Sequence, residues 1–224
     1  MGLIISEETR HTPLREDTQM QPHFVHVDRV RARLISRGQA TALRAFEFAR
    51  SLHTGSRKNG SHEFSHQLRM SDRISNLDDV DDEEGLQAIC FLHDTMEDYG
   101  VDYGFLCSSF GASNTDAVWS MTKEFLGVKR ATEETFSAIA RNPKSSVVKG
   151  VDRIDNLETM DGAFDHSKQA EYVDETIELI VPMISLATQL HAYHRPAYSA
   201  ISNIIATHTA PFKNNTSGAC PYDA

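Results

Sequence analysis

The stretch FLHDTMED, residues 91–98, sets two pairs of ionisable side chains one helical turn apart within an apolar run. The pairs are His93–Asp94 and Glu97–Asp98, residue types that ligate metal ions and transfer protons. Burying such groups is costly unless a metal ion, a hydrogen bond or a counter-charge compensates. The stretch is therefore either the surface of a helix end or a site for metal or acid–base chemistry.

The helical period places these groups on an inward face. With 3.6 residues per turn, His93 and Glu97 continue the apolar face of the helix that precedes them, and Asp94 and Asp98 lie at its border. A core alone does not change from apolar to ionisable within two turns. The pattern therefore favours a site.

A second helix, following Pro143, repeats this change. Its apolar face runs through Val151, after which Asp152, Asn156 and Thr159 follow on nearly the same side. Both helices thus aim carboxylates and polar groups inward. If the two faces converge, they would form a metal cage of mixed nitrogen and oxygen ligands.

The elements that must position these groups are helices. Apolar residues recur at helical spacing in Ala45, Phe48, Ala49 and Leu52, and no alternating strand or Asn-Gly hairpin stands out. The pattern predicts an all-α fold in one domain.

Three segments divide the chain. Residues 1–30 are polar and lack periodicity, so we expect a loosely structured lead-in. The helical domain is predicted over residues 31–207, and residues 208–224 are predicted to be a flexible tail.

Four sequence blocks, in this order, resemble the HD phosphohydrolase superfamily. The similarity is greatest to its alarmone hydrolase branch, which comprises the hydrolase domain of the Rel and SpoT enzymes and the small alarmone hydrolases. The resemblance extends over about residues 42–190 and implies a single HD-domain helical bundle. The blocks are AFEFARSLHTGSRKNGSHEFSH, FLHDTMED, WSMTKEF and VVKGVDRIDNLETM.

This resemblance implies that His66, His93, Asp94 and Asp152 ligate one divalent ion, which is Mn²⁺ in this branch. Two imidazoles and two carboxylates also suit iron or zinc. An ion bound in this way lowers the pKa of a water molecule and polarises the phosphorus that the water attacks.

The resemblance also assigns roles to six further residues. An acidic pair would orient or deprotonate the water, a guanidinium and an ammonium would hold the nucleotide, and an amide and a hydroxyl would contact its ribose and base. The catalytic acidic pair is Glu97 and Asp98. The substrate-binding residues are Arg57 and Lys58, which would hold the nucleotide, and Asn156 and Thr159, which would contact its ribose and base.

The reaction that the resemblance implies is removal of the 3′-pyrophosphate from ppGpp or pppGpp, which leaves GDP or GTP. Two departures put the preferred base in question. His62 and Glu63 stand where the family usually has Pro-Tyr, and the spacing from His53 to Arg57 is one residue shorter than usual. An adenine alarmone (ppApp), NADPH or a deoxynucleotide (dNTP) is therefore an alternative substrate.

Two alternatives come from other functional classes. His62, Glu63 and His66 spell the H-E-x-x-H motif of zincin metalloproteases, which functions only when the motif lies on a helix. Here the motif follows Arg-Lys-Asn-Gly-Ser, which is typical of a turn. A non-catalytic nucleotide-binding module is the other alternative, and retention of all the ligands together with the acidic pair disfavours it.

Composition limits the partners. The net charge of −10 disfavours nucleic acid, whose phosphates attract cations, but does not exclude a small nucleotide substrate. No window approaches the apolar length of a membrane span. Three widely separated cysteines without a C-x-x-C pair predict a cytoplasmic protein without disulfides. The oligomeric state does not follow from the sequence.

Overall fold

The computed structural model describes residues 17–213, which form a bundle of helices with one short hairpin. The predicted all-α fold class is confirmed. Among these residues, no helix is both long and apolar enough to cross a membrane. The helices are α1 (Asp17–Ser36), α2 (Ala40–Leu52), α3 (Ser65–Ile74), α4 (Glu83–Leu92), α5 (Thr95–Tyr99), α6 (Tyr103–Phe110), α7 (Ala112–Met121), α8 (Thr132–Arg141), α9 (Pro143–Thr159), α10 (His166–Glu175), α11 (Val181–Leu190) and α12 (Arg195–Lys213).

Short elements connect several of these helices. A π-helical turn, Thr176–Ile180, joins α10 to α11, and a 3-10 turn, Ala192–His194, leads into α12. Strands β1 (Glu124–Phe125) and β2 (Val128–Lys129) pair antiparallel between α7 and α8.

Helix α4 lies at the centre of the bundle. Its residues from Gly85 to Leu92 are all buried, and it packs against α2, α3, α7 and α9. A helix that is apolar on every side needs neighbours on every side. Its amide side chain, Gln87, is satisfied by Ser71 and Ser75 of the α3 region. Because α4 ends at Leu92 inside the molecule, the ionisable groups that follow begin in a buried position.

Helix α1 contradicts the loosely structured lead-in that was predicted for residues 1–30. Val27 and Val30 are buried in the core. On the polar side of α1, Arg29 donates a 2.6 Å hydrogen bond to Asp72 of α3. The prediction fails because the apolar positions of α1 are few and are separated by charged residues, which hides the amphipathic pattern.

The predicted tail over residues 208–224 is also partly wrong. Helix α12 continues to Lys213, and Thr209 is buried. The remaining parts of the two terminal predictions, residues 1–16 and 214–224, lie outside the described residues.

The β1–β2 hairpin was not predicted from the sequence. Its two-residue turn places both Leu126 and Gly127 at positive φ, 49° and 80°, as a tight type I′ turn requires. Leucine is rare at such a position, so the sequence lacks the usual Asn-Gly signal. The hairpin packs against α5 and thereby lies close to the HDTMED segment.

Candidate metal centre and nucleotide cavity

Three helices bring the predicted metal ligands together. His66 comes from α3, the pair His93–Asp94 follows α4, and Asp152 lies in the middle of α9. The candidate ligand atoms of His66, His93 and Asp94 all lie within 4.8 Å of one another. The Oδ1 atom of Asp152 is 3.2 Å from Nε2 of His66 and 3.9 Å from Nε2 of His93. His66, His93 and Asp94 are therefore close enough to share one cation, and Asp152 lies beside both imidazoles as a candidate fourth ligand.

Hydrogen bonds orient both imidazoles toward that point. The Nδ1 atom of His66 is 2.6 Å from a carboxylate oxygen of Asp155, and Nδ1 of His93 is 2.8 Å from the carbonyl oxygen of Cys90. Both partners accept, so Nδ1 is the protonated nitrogen and Nε2 is free to ligate. Nε2 of His93 is buried and lies 2.7 Å from a carboxylate oxygen of Asp94, although the angles of this contact are not those of a hydrogen bond. This donor set fits a divalent cation.

The electrostatics of the cluster also favour a cation. Burial disfavours the charged form of His93, but the carboxylates of Asp94 and Asp152 outweigh that penalty and raise the pKa of His93 to about 9. Burial likewise acts against the charge of Asp152, yet Lys149 and His66 hold the pKa of Asp152 well below its usual range. Closely packed buried carboxylates thus retain their negative charge, and a metal ion would compensate it.

The backbone after α4 differs from the single continuous helix that was expected. A turn at His93 and Asp94 separates α4 from α5, and the hydroxyl of Thr95 caps the carbonyl of Leu92. The predicted inward position of Glu97 is therefore wrong. Glu97 is exposed and accepts a 2.8 Å hydrogen bond from the backbone N–H of Lys123.

Asp98 is also exposed, but unlike Glu97 it lines the cavity beside the candidate metal ligands. Burial and the charges of Asp94 and Glu97 raise the pKa of Asp98 to about 6. A carboxylate with this pKa is ionised at neutral pH and accepts a proton more readily than an ordinary aspartate.

A chain of hydrogen bonds links the metal ligands to the rim of the cavity. Lys149 donates to Oδ2 of Asp152 at 2.7 Å, and Asn156 donates to Oδ1 of Asp152 at 2.7 Å. Arg57, from the turn after α2, donates to the amide oxygen of Asn156 at 2.8 Å. Asn156 therefore connects a predicted nucleotide contact to a predicted metal ligand.

The cavity above the cluster has room for a nucleotide. Its main part encloses about 360 Å³, and a second part of about 330 Å³ shares several wall residues with it. All four predicted substrate-binding residues, Arg57, Lys58, Asn156 and Thr159, line the main part.

Several residues of the site were missed by sequence reasoning. Phe164 and Tyr172 supply apolar wall surface, and the Lys58 ammonium lies 5.0 Å from the centre of the Phe164 ring. Asp155 bonds His66 and also accepts both hydrogen bonds of a bidentate pair from Arg69, at 2.6 and 2.8 Å. The spacing of Asp155, three residues after Asp152, was a usable signal for a carboxylate behind the ligand shell, whereas Phe164 carried none.

The geometry excludes the zincin alternative. His62 and Glu63 precede α3, so His62 and His66 do not share a helix face. His62 instead stacks on His23 of α1, with ring centroids 4.1 Å apart, and Glu63 accepts a hydrogen bond from the backbone N–H of Gly55. The H-E-x-x-H match is therefore coincidental.

Comparison with known proteins agrees with this picture. No family model matches the chain. The chain is 32% identical over 147 residues to a probable GTP pyrophosphokinase of Mycobacterium leprae, covering 62% of this chain and 18% of that protein. It is 30% identical over 148 residues to a guanosine-3′,5′-bis(diphosphate) 3′-pyrophosphohydrolase of Aquifex aeolicus, covering 62% and 20%.

A solved structure shares the fold. It is a metazoan ortholog of SpoT, described as hydrolysing ppGpp, and it superposes with a TM-score of 0.55 at 18% identity over 70% of this chain and 94% of that one. The chain spans only about a fifth of the length of the curated relatives it matches. The resemblance that the sequence blocks predict is nevertheless confirmed: this chain is similar in sequence to guanosine-3′,5′-bis(diphosphate) 3′-pyrophosphohydrolases and shares the fold of the SpoT ortholog.

Proposed function

We propose that this chain is a metal-dependent hydrolase that removes the 3′-pyrophosphate from ppGpp-type alarmones, giving GDP or GTP. The observation that carries the proposal is the convergence of His66, His93, Asp94 and Asp152 at a cavity with room for a nucleotide, whose second part is lined by all of them except His93. The names of the relatives support the reaction class and the substrate class.

These four residues would hold a divalent ion. Mn²⁺ is the proposed ion, with iron or zinc as alternatives that the same ligands accept. When bound, the ion supplies a water molecule of lowered pKa and charge to stabilise the phosphoryl transition state.

The protein's own side chains would then act on the reactants. Asp98, with its pKa of about 6, would accept a proton from the attacking water. The water oxygen would bond to phosphorus as the P–O3′ bond breaks, the departing 3′-oxygen would take up a proton to become a hydroxyl, and pyrophosphate would be released. Glu97 would act indirectly, because its hydrogen bond to Lys123 fixes the backbone of a residue that faces the cavity.

A group of cations in the second part of the cavity would receive the phosphates. It consists of Lys123, Lys149 and Arg153, and burial together with the charge of Lys149 lowers the pKa of Lys123. Lys149 and Arg153 already donate to Asp152 and Glu175, so an anionic phosphate in this part of the cavity would stabilise the charge of Lys123. Near the rim, Arg57 and Lys58 would bind the nucleotide and Asn156 and Thr159 would contact its ribose and base, beside the Phe164 and Tyr172 rings.

One observation favours a second candidate within the same reaction class. Glu63 lines the cavity where the family usually has a tyrosine. An acidic group beside the nucleotide alters which base or phosphate is tolerated, so ppApp and NADPH stay alternative substrates. The cytoplasmic location is likewise a prediction, and the free Cys90 and Cys107 thiols are compatible with it.

The decisive experiment is incubation of the purified protein with ppGpp, ppApp, NADPH and dNTPs in Mn²⁺, with and without chelator. We expect pyrophosphate and GDP from ppGpp in the presence of Mn²⁺ and no turnover with chelator. Release of inorganic phosphate from NADPH alone would replace the proposed substrate. Chelator-resistant turnover would contradict the metal-dependent reaction.

A further inference from the structure

Two buried polar side chains on the cavity wall each have one atom without a hydrogen-bond partner among the described residues. His53 is 2% exposed and Gln67 is 1% exposed, yet both line the main part of the cavity. The unpaired atoms are Nε2 of His53 and the side-chain oxygen of Gln67. Because buried polar atoms are almost always paired, two such atoms at one cavity point to a ligand that pairs them.

The chemistry of the His53 atom can be specified. Nδ1 of His53 is 2.8 Å from the carbonyl oxygen of Ala49, which only accepts, so Nδ1 carries the proton. Burial lowers the pKa of His53, so the ring is neutral at physiological pH. Nε2 therefore presents a lone pair, and its partner must be a hydrogen-bond donor.

The amide of Gln67 complements this atom. The oxygen and nitrogen ends of an amide exchange by rotation of the group, so Gln67 can present either an acceptor or a donor to a ligand. A hydroxyl group has the matching chemistry for both side chains, since it can donate its proton to His53 and accept from the Gln67 amide. Phosphate oxygens, which only accept at neutral pH, do not.

The residues assigned to the ribose by resemblance are already engaged. Asn156 uses its amide oxygen for Arg57 and its amide nitrogen for Asp152. The hydroxyl of Thr159 donates to the carbonyl of Asp155 at 2.8 Å. Asn156 and Thr159 thus already bond other protein groups, whereas His53 and Gln67 are buried lining side chains that each keep one unpaired polar atom.

We propose that His53 and Gln67 bind the ribose hydroxyl next to the scissile phosphoryl group, and so select ribonucleotides over 2′-deoxyribonucleotides. The inference rests on the proposed function. Gln67 directly follows the metal ligand His66, and Asp94 lines the same cavity, so a phosphoryl group held at the metal centre brings its neighbouring sugar oxygen to this wall. For a 3′-phosphoryl substrate that oxygen is the 2′-hydroxyl.

The test compares guanosine 3′,5′-bis(diphosphate) with its 2′-deoxyguanosine analogue, using kcat/KM for each. We expect the wild-type protein to prefer the ribonucleotide by about 10- to 100-fold, because the deoxy analogue leaves buried polar groups unpaired. In His53→Leu and in the near-isosteric Gln67→Met, the preference should shrink toward one, mainly through slower turnover of the ribonucleotide.

The matched control is His194→Leu. His194 is also a buried histidine with an unpaired ring nitrogen, but it does not line this cavity. Its replacement should leave the ratio unchanged even if it lowers stability. A wild-type ratio near one, or an equal loss for both substrates in His53→Leu and Gln67→Met, would overturn the inference.

Failure of the proposed function has a different signature, namely no hydrolysis of either substrate. In that case, calorimetry of adenosine 3′,5′-bisphosphate and its 2′-deoxy counterpart tests the hydroxyl site by binding alone. Tighter binding of the ribonucleotide that Gln67→Met abolishes would support the hydroxyl site, and equal affinities would overturn it.

Discussion

The floor and the rim of the cavity are built in different ways. At the floor, His66, His93 and Asp152 are buried, and each is held by a second protein group. At the rim, Lys58 is exposed on a turn, and Phe164 lies half-buried in the segment between α9 and α10. The floor is therefore pre-arranged for one task, whereas the rim can change without disturbing the core. This difference suggests that the type of reaction is fixed by helices and the choice of nucleotide by loops.

The largest effect is expected at the floor. Asp94→Ala should abolish turnover of every nucleotide, by at least about 1,000-fold, because a ligand of the ion is lost. Steady-state rates and the metal content of the purified variant provide the measurement. Asp174→Ala, at an exposed position of α10, is the control. Near-normal rates in Asp94→Ala would break the assignment of the floor.

The next effect concerns the group directly above the floor. Asp98→Asn should lower kcat by about 100-fold or more, since it removes the proton acceptor. In the wild type, kcat/KM should fall as the pH drops through about 6, because protonation of the carboxylate, whose pKa is raised to about 6, removes the base.

The variant itself separates this role from a structural one. Asn carries no charge, so the acid-side fall near pH 6 should vanish in Asp98→Asn. The ionised carboxylate is repelled by Asp94 and Glu97 above that pH, so its removal should not lower the unfolding temperature at pH 7. An unchanged pH profile would assign the proton transfer to another group.

A smaller effect tests the support behind the floor. Asp155→Asn should weaken metal affinity by about 10- to 100-fold, because Asp155 orients the His66 ring through its hydrogen bond to Nδ1. Competition with a chelator of known affinity measures the change, and KM for the nucleotide should move little. Asp161→Asn, exposed just beyond α9, is the control. Unaltered metal affinity would mean that the helices alone hold the imidazole.

The smallest effect is expected at the rim. Arg57→Ala should raise KM by about tenfold and leave kcat within a few-fold of the wild-type value. The reason is that Arg57 would bind the nucleotide equally strongly in the ground state and in the transition state. Arg50→Ala, an exposed arginine of α2, is the control. A fall in kcat at constant KM would instead show that loss of Arg57 disturbs the candidate metal ligand Asp152 through the hydrogen bonds of Asn156.

The difference between the helices of the cavity floor and the loops of its rim also explains which features could be predicted from the sequence. His66, His93, Asp94 and Asp152 were implied by the family resemblance of the sequence blocks, and helical spacing independently pointed the last three inward; the structure places all four close together. Their function as ligands stays a prediction. Glu97 was misplaced because the local turn at His93 and Asp94 ends the helical period, and no pattern in the residues announces that turn.

Other features were hidden for physical reasons. Helix α1 is stabilised by tertiary contacts, among them the Arg29–Asp72 pair, that a local pattern does not contain. Phe164 reaches the cavity through the path of a loop, and the Leu126–Gly127 turn uses a conformation that leucine rarely adopts. Each depends on long-range or strained geometry rather than on periodicity.

The Cys90 residue has a further consequence for chemical robustness. Its carbonyl oxygen orients His93, while its thiol is buried and contacts the carbonyl oxygen of Gln67 at 3.5 Å. Burial raises the pKa of the Cys90 thiol well above its ordinary range, so the reactive thiolate is scarce. Peroxide and alkylating reagents react with thiolates, so they should modify Cys90 only slowly. The Cys90 carbonyl should therefore keep orienting the His93 ring under oxidising conditions.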